Sequence, residues 1–160
     1  MKLYKIVAIM FMIFLIGCTS ETITIEDGEL IETCNNIVLE YDKIENYHVT
    51  FDRSCLLYIE FETVSDIAHD GGIHKKIYEN IKTYISENIN EDGSLEDTSL
   101  NESIREIKLT VVYNVNDGNV FYDYYSKYYG GDTVCQDENY NEIDNFKTWF
   151  SLKTDKTDSK

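Results

Sequence analysis

Residues 73 to 89, IHKKIYENIKTYISENI, repeat isoleucine at every fourth position: Ile73, Ile77, Ile81, Ile85 and Ile89, with Tyr78 and Tyr84 beside the stripe. That spacing stacks the apolar side chains on one face of a helix and leaves Lys75, Lys76, Glu79, Lys82 and Glu87 mainly on the other. A helix with one greasy stripe has to bury it against another layer. The segments on both sides of it alternate with period two, so the layer is a sheet and the class is α+β.

Upstream, IVLEYD, YHVTF and CLLYIEFET alternate or nearly alternate apolar residues, which predicts an antiparallel meander over residues 37 to 63. Ile37, Leu39 and Tyr41 share a face, as do Tyr47, Val49 and Phe51, then Cys55, Leu57, Ile59 and Phe61. With Asp52, Arg53 and Ser54 as the turn, Phe51 opposes Cys55, Val49 opposes Leu57 and Tyr47 opposes Ile59. If Tyr41 likewise opposes Tyr47, Cys34 comes beside that turn. A Cys34–Cys55 disulfide is then the favoured pairing, with Cys135 left over. The alternative is three reduced, buried thiols acting as small hydrophobes.

Downstream, residues 104 to 115 place Ile107, Leu109, Val111, Tyr113 and Val115 on one side, and Asp117-Gly118 predicts a two-residue hairpin turn. Asn116 then faces Asn119, Val115 meets Val120, Tyr113 meets Tyr122, Val111 meets Tyr124 and Ile107 meets Tyr128. The expected architecture is an antiparallel sheet of about five strands with one long amphipathic helix on one face. Residues 130 to 150 read as irregular or weakly helical, with Trp149 and Phe150 returning to the core.

The chain opens with Lys2 and Lys5 ahead of an apolar run from Ile6 to Ile16, the layout of a signal peptide and too short for an ordinary membrane span. The run ends in Leu15, Ile16, Gly17 and Cys18. This resembles the lipobox of bacterial lipoproteins, a likeness confined to the leader. The resemblance implies a diacylglycerol on the Cys18 thiol, cleavage before it, and anchorage to the outer face of a bacterial membrane. One acyl chain holds a protein only marginally, whereas two anchor it stably. The expected division is residues 1–17 as leader, 18–33 as lipidated tether, 34–152 as a single domain and 153–160 as a tail.

The formal charge is −16, and loss of the leader with its two lysines makes it more negative still. Such a charge repels nucleic-acid phosphates and anionic headgroups, and favours basic peptides, basic protein faces or divalent cations. With 42% hydrophobic and 13% aromatic residues, the chain belongs to the folded class.

Three stretches carry candidate chemistry. NINEDGSLED is similar to an EF-hand calcium loop, with Asn88, Asn90, Asp92, Ser94 and Glu96 at liganding positions and Gly93 at the sharp turn. It departs from that pattern at its first ligand and at its twelfth position, where Ser99 stands in place of a bidentate Glu and Glu102 lies too far along. The plain reading is a polar helix terminus with an Asp-Gly turn. His69, Asp70 and His74 form the one local group of nitrogen and carboxylate ligands, but their spacing matches no zinc motif; Asp70 reads as a helix cap, with Gly71 and Gly72 shaping the start.

The third stretch, FYDYYSKYYGG, puts rings on both sides of a strand. Tyr122, Tyr124 and Tyr128 point to the core, leaving Phe121, Tyr125 and Tyr129 outward with Asp123 and Lys127. Outward rings on a rigid strand suit protein, peptide or sugar contact, unless the C-terminal segment with Trp149 covers them. No serine elbow, phosphate-cradling loop or CxxC pair is present, so the expected role is noncatalytic binding with no required cofactor. The alternatives are a calcium-dependent module using residues 88–96 and, third, a small hydrolase using His69 and Asp70.

Overall fold

The structure, a computed structural model, describes residues 22–64, 72–96, 103–115, 118–129 and 143–156. The elements in chain order are β1 (Thr22–Thr24), α1 (Glu29–Glu40), β2 (Ile44–Asp52), β3 (Leu56–Thr63), α2 (Ile73–Asn88), β4 (Glu106–Val115), β5 (Gly118–Lys127) and β6 (Trp149–Lys156). The fold is α+β. Among the described residues, six strands form one sheet in sequence order, β1-β2-β3-β4-β5-β6.

The expected all-antiparallel sheet needs correction at its centre, because β3 and β4 pair in parallel. Two neighbouring strands joined through a helix can run the same way, whereas a tight turn forces them antiparallel. The segment after β3 holds α2, which carries the chain back to the starting end of the sheet.

A second correction concerns residues 22–41. ELIETCNNIVLE is helix α1, not the first strand of a meander, and residues 22–33 are not a tether. Leu30, Ile31, Cys34 and Ile37 are buried, a one-sided helical spacing, while Leu39 is 83% exposed. The alternation of Ile37, Leu39 and Tyr41 is therefore local coincidence. Glu29 and Glu32 sit in the first turn, where the helix dipole favours negative charge.

Cys34 and Cys55 are free thiols, so the disulfide expectation is also corrected. The pairing depended on a strand at 37–41 that does not exist. Cys34 points from α1 into the core, and burial pushes its thiol up to about 12. Cys55 instead occupies the β2–β3 turn at φ 66°. The Asp52 carboxylate holds this turn by accepting from the Ser54 N–H at 2.8 Å and the Leu56 N–H at 3.3 Å.

Both hairpins keep the expected faces with partners displaced by two residues. Phe51 opposes Leu57, Val49 opposes Ile59 and Tyr47 opposes Phe61. In the second hairpin Val115 opposes Gly118, Tyr113 opposes Val120 and Val111 opposes Tyr122. An even shift preserves which side chains face inward. The inward set of β3 and β4, including Leu57, Ile59, Phe61, Ile107, Leu109 and Tyr113, is completely buried.

Helix α2 matches its expected span, with Ile73, Ile77, Ile81 and Ile85 buried. Its N-cap is Gly72 at φ 79°, which bears no side chain to cap with. The Tyr113 hydroxyl on β4 accepts the His74 N–H at 3.0 Å instead, binding the helix start to the sheet. Asp70 lies outside the described residues. Both helices occupy the same side: Tyr47 on β2 donates to Asn35 of α1 at 2.9 Å, and Tyr78 of α2 stacks on Tyr124 of β5 at 4.4 Å.

The last correction is at the C-terminus. Residues 149–156 form the edge strand β6, so 153–156 are not part of a tail. Trp149 packs edge-on against Tyr78 at 5.6 Å, on the helix side. Residues 149–156 therefore widen the sheet at its edge.

Candidate functional site

The side of the sheet turned away from the helices is built by the second half of each alternation. No described helix or strand lies over it. Registers across four strands align its side chains in rows. One row runs Tyr58, Lys108, Tyr125, Phe150, and the next runs Glu60, Thr110, Asp123, Leu152. Strands lie about 4.8 Å apart, so each row spans about 14 Å.

Lys108 sits at the centre. Its Nζ is 5.6 Å from the Tyr58 ring centroid and 5.4 Å from that of Tyr125, so two neighbouring strands place an aromatic face on either side of the ammonium. Asp123 lies 3.5 Å from the same Nζ and accepts the Thr110 hydroxyl at 2.7 Å. A carboxylate that is only 8% exposed is thereby both paired and hydrogen-bonded, which a buried charge requires. Tyr58 donates its hydroxyl to Glu60. Burial, and then that carboxylate, hold the Tyr58 phenol well above its ordinary range, so it stays protonated.

Around this fixed centre the platform becomes apolar and exposed. Phe150 is 37% and Leu152 56% exposed, and half-buried Phe121 adjoins buried Val112 in the next row. The arrangement combines rigid rings, a held cation and an exposed apolar margin. Its chemistry is that of contact and recognition: large rigid area with little side-chain entropy to lose.

Of the three outward rings expected from the sequence, the structure brings Phe121 and Tyr125 together on this face. Tyr129 is separate. β5 ends at Lys127, and Tyr129 makes an isolated bridge to Ile143 with its ring edge-on to Tyr128. Arg105 covers that pair, 4.4 Å from the Tyr128 ring and 5.7 Å from the Tyr129 ring.

The calcium-like loop folds as a small closed turn. The Asn90 amide donates to the Ser94 hydroxyl at 3.1 Å, while Asp92 accepts from the Ser94 N–H at 2.9 Å and its hydroxyl at 2.6 Å. The Asn88 side chain donates back to the Tyr84 carbonyl at 2.9 Å, and Glu96 donates its N–H to the Asn88 carbonyl at 3.0 Å. Ser94 holds the Asp92 carboxyl below its usual range. Among the described residues, no group of three or more His, Cys, Asp or Glu side chains is placed to hold a metal ion. Ser99 and Glu102 lie outside the described residues.

This loop has a packing role. A Cβ on Gly93 would come 2.8 Å from the Ile104 carbonyl and 2.9 Å from the Tyr128 ring. Tyr128 in turn donates its hydroxyl to the Glu91 carbonyl at 2.8 Å. The glycine lets the loop close against the start of β4 and the end of β5.

His74 stacks on Tyr122 at 3.9 Å, and its Nδ1 is 3.2 Å from the Tyr113 hydroxyl. It is thus part of the aromatic packing beneath α2, while His69, Asp70, Cys18 and Cys135 fall outside the described residues. Tyr58, Lys108 and Leu152 were not singled out by sequence reasoning, and Phe150, expected in the core with Trp149, is instead 37% exposed on this face. The alternation of CLLYIEFET and IREIKLTVVYNV does turn Tyr58 and Lys108 outward, but their meeting depends on the nonlocal β3–β4 pairing.

No protein-family profile, curated protein or solved structure matches this chain.

Proposed function

We propose that the protein is an exported bacterial surface lipoprotein, anchored through lipid on Cys18, whose uncovered sheet face binds a macromolecular partner without catalysis. The observation that carries the reading is the row Tyr58, Lys108, Tyr125, Phe150 with its exposed apolar neighbour Leu152. Rings on rigid strands lose little entropy on contact, and a central cation already paired with Asp123 avoids leaving an uncompensated charge when water is excluded. The net charge of −16 favours a partner that presents a basic face in the envelope or from outside it. Nucleic acid is disfavoured by the same charge.

A photoreactive phenylalanine analogue at Tyr125, installed in the producing cell, tests the surface. The expected result is one adduct of defined mass from position 125, none from Glu87 on the helix side, and a sharply reduced yield when Phe150→Ala and Leu152→Ala are added. Equal adducts from both positions, or none from 125, would reject it. The anchor is tested separately by the mass of the mature N-terminus and by Cys18→Ser, which should release the protein from membranes.

A further inference from the structure

The outer edge of β2 offers a second surface, independent of the uncovered face. β2 runs from Ile44 to Asp52, yet β1 pairs only with Thr50–Asp52. The Ile25 N–H still reaches the Val49 carbonyl at 3.0 Å, after which the chain turns away through Gly28 at φ 105° into α1. In an antiparallel ladder, alternate residues turn both N–H and C=O to the same neighbour. Val49 directs its carbonyl toward β1, so Tyr47 directs its N–H and C=O the same way, where no described strand follows.

Beside this bare stretch lies an open groove of 310 Å³. Buried Ile25, Ile31 and Val49 supply its apolar part, and exposed Glu26, Asn46 and His48 its polar margin. Exposed Asp27, Glu29 and Glu45 are next in the chain. Between Thr22 and His48 the sequence carries seven acidic residues against one lysine.

We propose that this edge binds an extended, lysine- or arginine-bearing polypeptide segment as an added strand. Main-chain hydrogen bonds to the Tyr47 level of β2 hold the segment in register. Alternate side chains enter the groove toward Ile25 and Ile31, and the intervening cationic ones meet Glu26 and Glu45. An edge strand left unpaired in this way is the usual template for such addition. The free stretch from Ile44 to His48 accommodates about five residues, or about 17 Å of extended chain.

The probe is an end-capped hexapeptide of alternating valine and lysine carrying a fluorophore, titrated by anisotropy into the intact chain in neutral detergent. Saturable binding is expected, together with slowed backbone hydrogen exchange over residues 44–49. The corresponding valine–glutamate peptide should not bind, and Glu26→Lys with Glu45→Lys should weaken the lysine peptide about tenfold. N-methylation of alternate peptide amides should abolish saturation, because it removes the hydrogen-bonding edge but leaves the charge. Equal binding of the N-methylated peptide would reduce the contact to bulk electrostatics and overturn the proposal. So would protection confined to other segments, or no binding of the lysine peptide.

Discussion

Tyr124 and Tyr125 are adjacent on β5 and chemically identical, yet they end in different environments. Tyr124 faces α2, is 7% exposed, and stacks on Tyr78 at 4.4 Å. Tyr125 faces the other way, half-buried among neighbours of its own sheet, with Lys108 over its ring. The residue type is the same on both sides, so composition of the strand did not decide burial. The decisive step is the β3–α2–β4 crossover, which puts the helix on one face, with α1 beside it on that same face. The other face keeps its rings and has paired polar groups at its centre, with no second layer among the described residues.

Substitutions on the two sides should therefore separate stability from binding. The largest loss belongs to the helix side: Leu109→Ala, at a fully buried position, should cost about 2–5 kcal/mol in denaturant unfolding and abolish binding only through unfolding. Gly93→Ala should follow at about 2–4 kcal/mol, from a left-handed backbone at φ 82° and a Cβ forced against the Ile104 carbonyl and Tyr128. Calcium should not rescue that variant, since the glycine serves packing against Tyr128.

An alkaline titration probes the same covered side. Burial pushes the Cys34 thiol up to about 12, and burial followed by the neighbouring Tyr122 pushes Tyr124 up to about 12. The folded state thus keeps protons that the unfolded chain releases near their ordinary values. Stability is fully present below those ordinary values and falls as pH rises toward about 12. The unfolding midpoint should decline between about pH 9 and 11, and Cys34→Ala should remove part of the slope. A flat midpoint across that window would contradict the burial of these groups.

The smallest effect on stability is expected at the uncovered face. Tyr125→Ala removes a half-buried ring and one side of the Lys108 contact, a change of about 1 kcal/mol or less. Its effect on co-purification of the partner from the producing cell should be far larger than its effect on unfolding. A loss of several kcal/mol would mean that Tyr125 is a core residue, and the contrast between faces would fail.

Much of the covered face is legible in the sequence, because long periodic segments carry their own signal. Helix α2 repeats its isoleucine over four turns, and the hairpin faces survive a two-residue error in register because parity alone sets them. Helix α1 is obscured by its own C-terminal half, where Ile37, Leu39 and Tyr41 alternate like a strand. Its helical character resides in the spacing from Leu30 to Ile37, beginning inside a stretch rich in acids. β6 is an edge strand with lysines and little apolar alternation, so local pattern hides it. The uncovered site is the least legible part. Phe121 and Tyr125 follow from alternation within β5, but the row that joins Tyr58 to Phe150 crosses four strands, one pair of them parallel and separated by α2. No local pattern encodes that adjacency.

The most direct test of the central claim is hydroxyl-radical footprinting of the protein in its producing cells and after purification in detergent. If the uncovered face is where a partner sits, Tyr125, Phe150 and Leu152 are oxidised markedly less in cells than in the purified chain, while Tyr78 and Trp149 on the helix side react alike in both. Equal oxidation of Tyr125, Phe150 and Leu152 in the two settings would mean that this face stays bare where the protein functions, and the account would be wrong.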